Sequence, residues 1–247
     1  MHEHANRAGI HLLAISTSTS AWSVWLHRAD GWSRSVHADA GRGSGQRASL
    51  TRMVWGLLAE ADLRPSDLQR VVCDVGPGSF TGLRQGLALA RALAWAHQIP
   101  TQAAGSLRSM AMLQAPHLTP GQTLAVALPA RADVDFVGVQ APSGWTERAL
   151  AHADLHTWWR EVRPDLIAVP HTDLHKPLAQ WARDRGAPVN TAEPQAEVMG
   201  LWSLDQDGVH DELAPRYLAV SEAEHHAGVA VPEAAVPAVD RNACSHN

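Results

Sequence analysis

Two stretches of the chain carry residue types able to meet a phosphate group. The first is Gly76-Pro77-Gly78-Ser79-Phe80-Thr81-Gly82, where backbone N–H groups opening a helix favour an anion and Arg84 follows closely. No Lys follows in P-loop spacing, so this possible anion site rests on the loop alone. The second stretch, Ser16-Thr17-Ser18-Thr19, ends a short apolar run. It offers hydroxyls, but no glycine for close phosphate approach and no carboxylate to hold a hard cation. The corresponding strand end in the second half reads Pro129-Ala130-Arg131, again without a carboxylate. Autonomous ATP hydrolysis is therefore disfavoured, and no catalytic residue, cofactor or metal is assigned. The competing reading is a stand-alone sugar-kinase-like or ATP-hydrolysing enzyme that uses the Gly76 to Gly82 loop.

Other chemistry-bearing side chains read as structural. Asp133 and Asp135 fall on one side of a strand and are expected to form a solvated face. Among the 15 histidines, His152 with His156 and His171 with His175 have i,i+4 spacing, yet neither pair carries the Glu of an HExxH protease. They are read as surface histidines, as is His225-His226. The 10 tryptophans outnumber 2 Phe and 1 Tyr. Trp158-Trp159, Trp181 and Trp202 fall in helical stretches and read as core or lobe-interface anchors, because nucleobase platforms want interleaved basic residues. Cys73 and Cys244 are too far apart for a disulfide framework or a paired ligand spacing.

The elements that position these residues follow from hydrophobic periodicity. Ile10 to Ile15, Trp22 to His27 and Trp32 to His37 read as three strands, with Asp30-Gly31 as a hairpin signal. Ala48 to Ala61 spaces Leu50, Met53, Val54, Leu57, Leu58 and Ala61 as one helical stripe. Arg70 to Val75 is a strand, and Phe80 to His97 is a long helix stopped by Pro100. The second half repeats the order. Thr123 to Leu128, Val134 to Gln140 and Trp145 to Leu150 read as strands and Asp154 to Val162 as a helix. Asp165 to Val169 is then a strand and Thr172 to Arg185 a helix with Thr172 as N-cap. A duplicated β-β-β-α-β-α unit predicts a two-lobed α/β protein with mixed sheets, the layout of the actin, hexokinase and Hsp70-like ATPases. The expected division is a flexible N-terminus (1–9), an N-terminal lobe (10–114), a Pro/Gly-containing linker (115–122), a C-terminal lobe (123–220) and a disordered tail (221–247).

Composition bounds the function classes. The 247 residues are long enough for an ordered part of roughly 200 residues to bury about 70% of its unfolded surface, so no metal or disulfide staple is required. A formal net charge of -5, from 20 Lys+Arg against 25 Asp+Glu, lacks the positive field of sequence-independent nucleic-acid binding. The opening MHEHANRAG has no apolar h-region, and Arg84 and Arg91 interrupt the longest helical apolar stretch, so a cytoplasmic protein without a membrane span is expected.

The small residues Gly82, Gly86 and Ala90 recur every fourth position and leave a flat strip beside Leu83, Leu87 and Leu93, which another helix can approach closely. Packing inside its own lobe is one reading of that strip; reception of a foreign helix is the other. The string VVCDVGPGSFTGLRQGLALARALA, Val71 to Ala94, closely resembles the signature of the TsaB family, also called YeaZ. His11 to Leu26 and Pro215-Arg216-Tyr217-Leu218 extend the likeness in order along the chain. The resemblance implies a degenerate nucleotide site and a non-catalytic role as the bacterial partner of TsaD, which makes threonylcarbamoyladenosine (t6A) at N6 of adenosine 37 in ANN-decoding tRNAs. It further implies a TsaE-like ATPase on the assembled pair, a homodimer when alone, and only indirect contact with tRNA. The partner-facing layer carried over by motif position is Gly82, Leu83, Arg84, Gly86, Leu87 and Ala90, with Leu50, Val54 and Leu57 from the first helix. Many family members carry Asp at the positions of Ser16 and Pro129, His at Gly45 and Arg at Ala219, and the chain departs at each.

Overall fold

The computed structural model describes residues 9–40, 49–131, 133–170, 176–206 and 212–216. The expected tail, nearly all of the expected flexible N-terminus, and Gly45, His171, Thr172, His175, Tyr217, Leu218, Ala219 and Cys244 lie outside the described residues.

The first half runs β1 (Leu12–Ser16), β2 (Ala21–His27), β3 (Ser33–Asp39), α1 (Leu50–Glu60), β4 (Arg70–Asp74), α2 (Phe80–His97), β5 (Thr101–Ala104) and α3 (Ser106–Gln114). The second half repeats it as β6 (Leu124–Arg131), β7 (Val134–Ala141), β8 (Gly144–Ala151), α4 (Leu155–Val162), β9 (Leu166–Val169), α5 (Lys176–Asp184), β10 (Val189–Thr191) and α6 (Ala196–Leu204). Each half forms a five-stranded mixed sheet, in the orders β3-β2-β1-β4-β5 and β8-β7-β6-β9-β10. In both, the first three strands pair antiparallel and the last two join in parallel beside the first. The duplicated unit expected from the sequence is present, longer in each half by a short strand and a helix. This is a two-lobed α/β fold with mixed sheets.

Local chemistry explains the strongest elements. Gly31 takes φ +92 at the β2–β3 turn, and the Asp30 carboxylate accepts from the Trp32 amide. Ser49 caps α1, whose apolar stripe is buried. Ser79 caps α2 by accepting from the Gly82 amide, and the helix ends at Gln98 in a left-handed conformation.

The halves exchange their third helices. α6 packs on β1, β2 and β4 of the first sheet, whereas α3 packs on β6, β7 and β9 of the second. The boundary expected at 115–122 therefore separates the halves in sequence, while one helix from each side covers the other's sheet. Gly200 permits the closeness of α6: a Cβ there would stand 2.2 Å from the Trp25 ring. One face of the first sheet packs under α1 and α2, and its other face packs with Ala196 and Met199 of α6. The second sheet is covered by α4 and α5 on one face and by Leu107 and Met110 of α3 on the other.

Candidate functional site

The glycine–proline corner joins β4 to α2. Gly76 takes φ +100 and the Gly76–Pro77 peptide is cis. Gly78 lies against the β1–β2 turn so closely that a Cβ would stand 2.3 Å from the Ser18 carbonyl oxygen. Three amides here donate inside the chain: Gly76 to Asp74 Oδ1 at 2.9 Å, Ser79 to the Ser18 carbonyl at 2.6 Å, and Gly82 to Ser79 Oγ at 3.2 Å. Gly76 and Pro77 are buried in the corner and Gly78 is half-buried, whereas Ser79, Phe80 and Thr81 are exposed at the start of α2.

The strand ends facing the cleft also bond each other. Asp74 is fully buried at the end of β4. It accepts from Ser106 Oγ of α3 at 2.6 Å and from Ser16 Oγ of β1 at 2.9 Å. Burial pushes its carboxyl well above the usual carboxylate range, opposed by the hydroxyls of Ser106, Ser18 and Ser16 and the Gly76 amide. Thr17 Oγ1 donates to the Gly82 carbonyl at 2.8 Å, and Thr19 Oγ1 donates to the Glu193 carboxylate at 2.8 Å. The hydroxyl turn Ser16 to Thr19 thus has Glu193 and Pro194 over it, and a carboxylate stands one strand away from Ser16 in Asp74. Sequence reasoning missed both acids. Asp74 sits inside an apolar run, which was the available signal; Glu193 carried none.

The small-residue strip turns inward. Gly82, Leu83, Gly86, Leu87 and Ala90 of α2, with Leu50, Val54 and Leu57 of α1, are buried in the first lobe, and of the nine expected interface residues only Arg84 is exposed. The physical reason is close approach of α2 to β1: a Cβ on Gly82 would stand 2.0 Å from the Thr17 carbonyl oxygen, and one on Gly86 2.4 Å from Thr17 Oγ1. The strip receives the chain's own β1–β2 turn.

Among the described residues, side chains on the opposite side of the same two helices are exposed. The exposed large hydrophobic side chains among the described residues are Trp55 on α1 (46% exposed) and Phe80 and Trp95 on α2 (41% and 88%). Gly56 and Ala59 of α1 and Ala88 and Ala92 of α2 are exposed as well. α2 carries no acidic residue, and the Arg84 guanidinium lies 4.0 Å above the Phe80 ring. Apolar residues standing off the buried stripe were the sequence signal for this face.

The remaining expected positions separate. Asp135 is buried, not solvated, and its carboxylate lies 3.2 Å from His152 Nε2, because the turn His152–Asp154 brings that ring back over β7. His156 is exposed on α4, so His152 and His156 do not share a helical face. Trp158 is buried, with Trp159 and Trp181 packed beside it in the second lobe. Arg185 stacks 3.5 Å above the outer ring, Trp181. Burial raises the Cys73 thiol far above its usual range. Among the described residues no group of three or more His, Cys, Asp or Glu is placed to hold a metal ion, and no helix is long and apolar enough to cross a membrane.

Comparisons with known proteins converge on one family. Residues 45–138 match the family model described as TsaD, tRNA N6-adenosine threonylcarbamoyltransferase. The chain is 30% identical over 227 residues to the tRNA threonylcarbamoyladenosine biosynthesis protein TsaB of Bacillus subtilis, covering 86% of this chain and 96% of that protein. It is 34% identical over 100 residues to the Escherichia coli protein of the same name, covering 40% and 42% of the two chains. Among solved structures, YeaZ from Pseudomonas aeruginosa superposes with a TM-score of 0.64 at 25% identity, covering 85% of this chain and 100% of that one.

Proposed function

This chain belongs to the TsaB family, and from that premise we propose that it supports threonylcarbamoyl transfer to N6 of adenosine 37 in ANN-decoding tRNAs as a non-catalytic subunit. The partner is a TsaD-type synthase, which supplies the chemistry. The TsaB relatives are named for tRNA threonylcarbamoyladenosine biosynthesis, and the match of residues 45–138 to a TsaD model fits a partner built on a related lobe. The observation that carries the reading is the outward side of α1 and α2, where Trp55, Phe80 and Trp95 are each exposed. Interfaces draw their energy from a few aromatic and Arg anchors that lose water on docking, and this face offers both. A TsaE-like ATPase then acts on the assembled pair, and tRNA meets this subunit only through its partner.

The experiment is co-purification and titration with the TsaD-type protein of the same organism, followed by a tRNA modification assay with and without this chain. Trp95→Asp is expected to weaken docking by roughly 30-fold or more, the scale of an aromatic hot spot, with the circular dichroism spectrum unchanged. Full affinity in that variant would remove the outer face from the interface. Light scattering of the free chain tells whether the same face pairs two copies before the synthase displaces one.

A further inference from the structure

The end of the described chain fastens one lobe to the other. Leu213 is buried in the core beneath α1 and α2, and the Arg91 guanidinium on α2 donates to its carbonyl. The Arg216 amide then donates to the Val75 carbonyl at 2.7 Å, at the corner that starts α2. Its own carbonyl oxygen would lie 3.2 Å from a Cβ on Gly76. The side chain of Arg216 leaves the first lobe and reaches β8 in the second, where Nη2 donates to Glu147 Oε2 at 2.8 Å. The Glu147 side chain is only 3% exposed, and Trp145 Nε1 donates to its other oxygen at 2.8 Å. Trp145 fits against Gly138, where a Cβ would be 2.5 Å from the ring, and Arg108 of α3 lies 5.1 Å from the ring centre. A carboxylate buried this deeply is stable as an ion only when paired, and a guanidinium fork anchored by its own backbone is well suited to pair it.

We propose that Arg216 and Glu147 form a clasp that positions the docking helix α2 relative to the second lobe. Both are positioning residues: neither lies on the outer face of α1 and α2, and each acts through the corner at Val75 and Gly76. The inference rests on the docking reading above for its functional consequence, while its structural half stands on the free chain. A partner that touches α2 and any part of the second lobe meets both in one fixed geometry, so less ordering is left to be done on association.

Hydrogen exchange on the full-length free chain tests the clasp alone. Arg216→Lys removes the fork and keeps the charge; Glu147→Gln removes the charge and keeps an acceptor for Trp145. In each, exchange of the Ser79 and Leu83 amides at the start of α2 and of the β8 amides paired with β7 is expected to rise together, by about tenfold, with β9 unchanged. The charge-exchanged pair Arg216→Glu with Glu147→Arg is expected to return both regions toward the parent. Faster exchange at β8 alone, with the corner unmoved, overturns the clasp. Titration with the TsaD-type synthase tests its purpose: each single variant is expected to lose about tenfold in affinity and the exchanged pair to recover it. Unchanged affinity in variants whose corner has loosened overturns the positioning role. Trp95→Asp runs alongside, because normal docking of that variant defeats the docking face and leaves the exchange result to judge the clasp.

Discussion

Gly82→Ala distinguishes packing of the small-residue strip within its own lobe from reception of a partner. The new Cβ would stand 2.0 Å from the Thr17 carbonyl oxygen and 3.3 Å from its carbon. Carbon and oxygen come to rest at about 3.3 Å or more, so α2 must retreat from the β1–β2 turn by roughly 1 Å. Overpacking of this kind costs about 1–3 kcal/mol. The retreat also stretches the bond from Thr17 Oγ1 to the Gly82 carbonyl, now 2.8 Å, which is worth about 1 kcal/mol. Exchanging Gly for Ala inside a helix returns up to about 1 kcal/mol of propensity, which leaves a net loss of about 1–3 kcal/mol. For a chain of this size that is a fall in Tm of roughly 2–12 °C. Gly56→Ala is the matched control, because nothing lies within 4 Å of its Cβ position on the outer side of α1. It is expected to gain about 0.5–1 kcal/mol from propensity alone. Urea unfolding of the two variants measures both. A Gly82→Ala protein as stable as its parent, or more so, refutes the claim that α2 is seated on Thr17.

Gly200→Ala presses a Cβ to 2.2 Å from the Trp25 ring and is expected to cost about 1–3 kcal/mol, read as a lower urea midpoint, since the indole is itself enclosed by the first sheet and α6. Asp74→Asn removes a buried group whose pKa is raised on folding, so the sign follows from linkage. The parent's contribution from Asp74 is fully present below the ordinary carboxylate value of 3.8 and is lost as pH rises toward the raised folded value. Stability of the Asn variant relative to the parent is therefore expected to climb over that window and then level off; a relative stability falling with pH contradicts it.

What the sequence made legible follows from how local each determinant is. Phe80 to His97 was bounded correctly at both ends because Ser79 caps it and its Leu/Ala-rich run continues until the chain turns before Pro100. The Asp30-Gly31 turn and the central strands were equally local. β5 and β10, at 4 and 3 residues, are too short to show a period, and of the helices that follow them the sequence marks only a helical stretch around Trp202, without bounds. The exchange of α3 and α6 was invisible for a different reason. An amphipathic pattern states that a helix buries one face and says nothing about which sheet covers it. The same limit governed α2: Gly82, Gly86 and Ala90 were recognised as a face for close approach, but the approaching group is Thr17 of the same chain. Asp74 was passed over because strand patterning reads one acid in an apolar run as an interruption, whereas three partners on different elements, Ser16, Gly76 and Ser106, make it a junction.

A two-lobed fold offers a cleft at its strand ends and a shell of helices outside, and the two compete for function through where polar and apolar groups are left unspent. Here the strand ends are bonded within the chain: Ser16, Ser106 and Gly76 hold Asp74, Thr19 holds Glu193, and Thr17 holds α2. Each of those bonds must be broken before a ligand group can take its place. The shell is not spent. Trp95, at 88% exposure, contributes almost nothing to holding its own lobe together, since hydrophobic stabilisation scales with the area removed from water. Its value lies in area still to be buried. With Trp55 and Phe80 it gives α1 and α2 an outward apolar surface, while glycines and alanines on their inward side seat α2 tightly enough to present that surface in one orientation. On the docking reading proposed above, binding energy is stored on the outside of the first lobe, and the inside serves to hold it still.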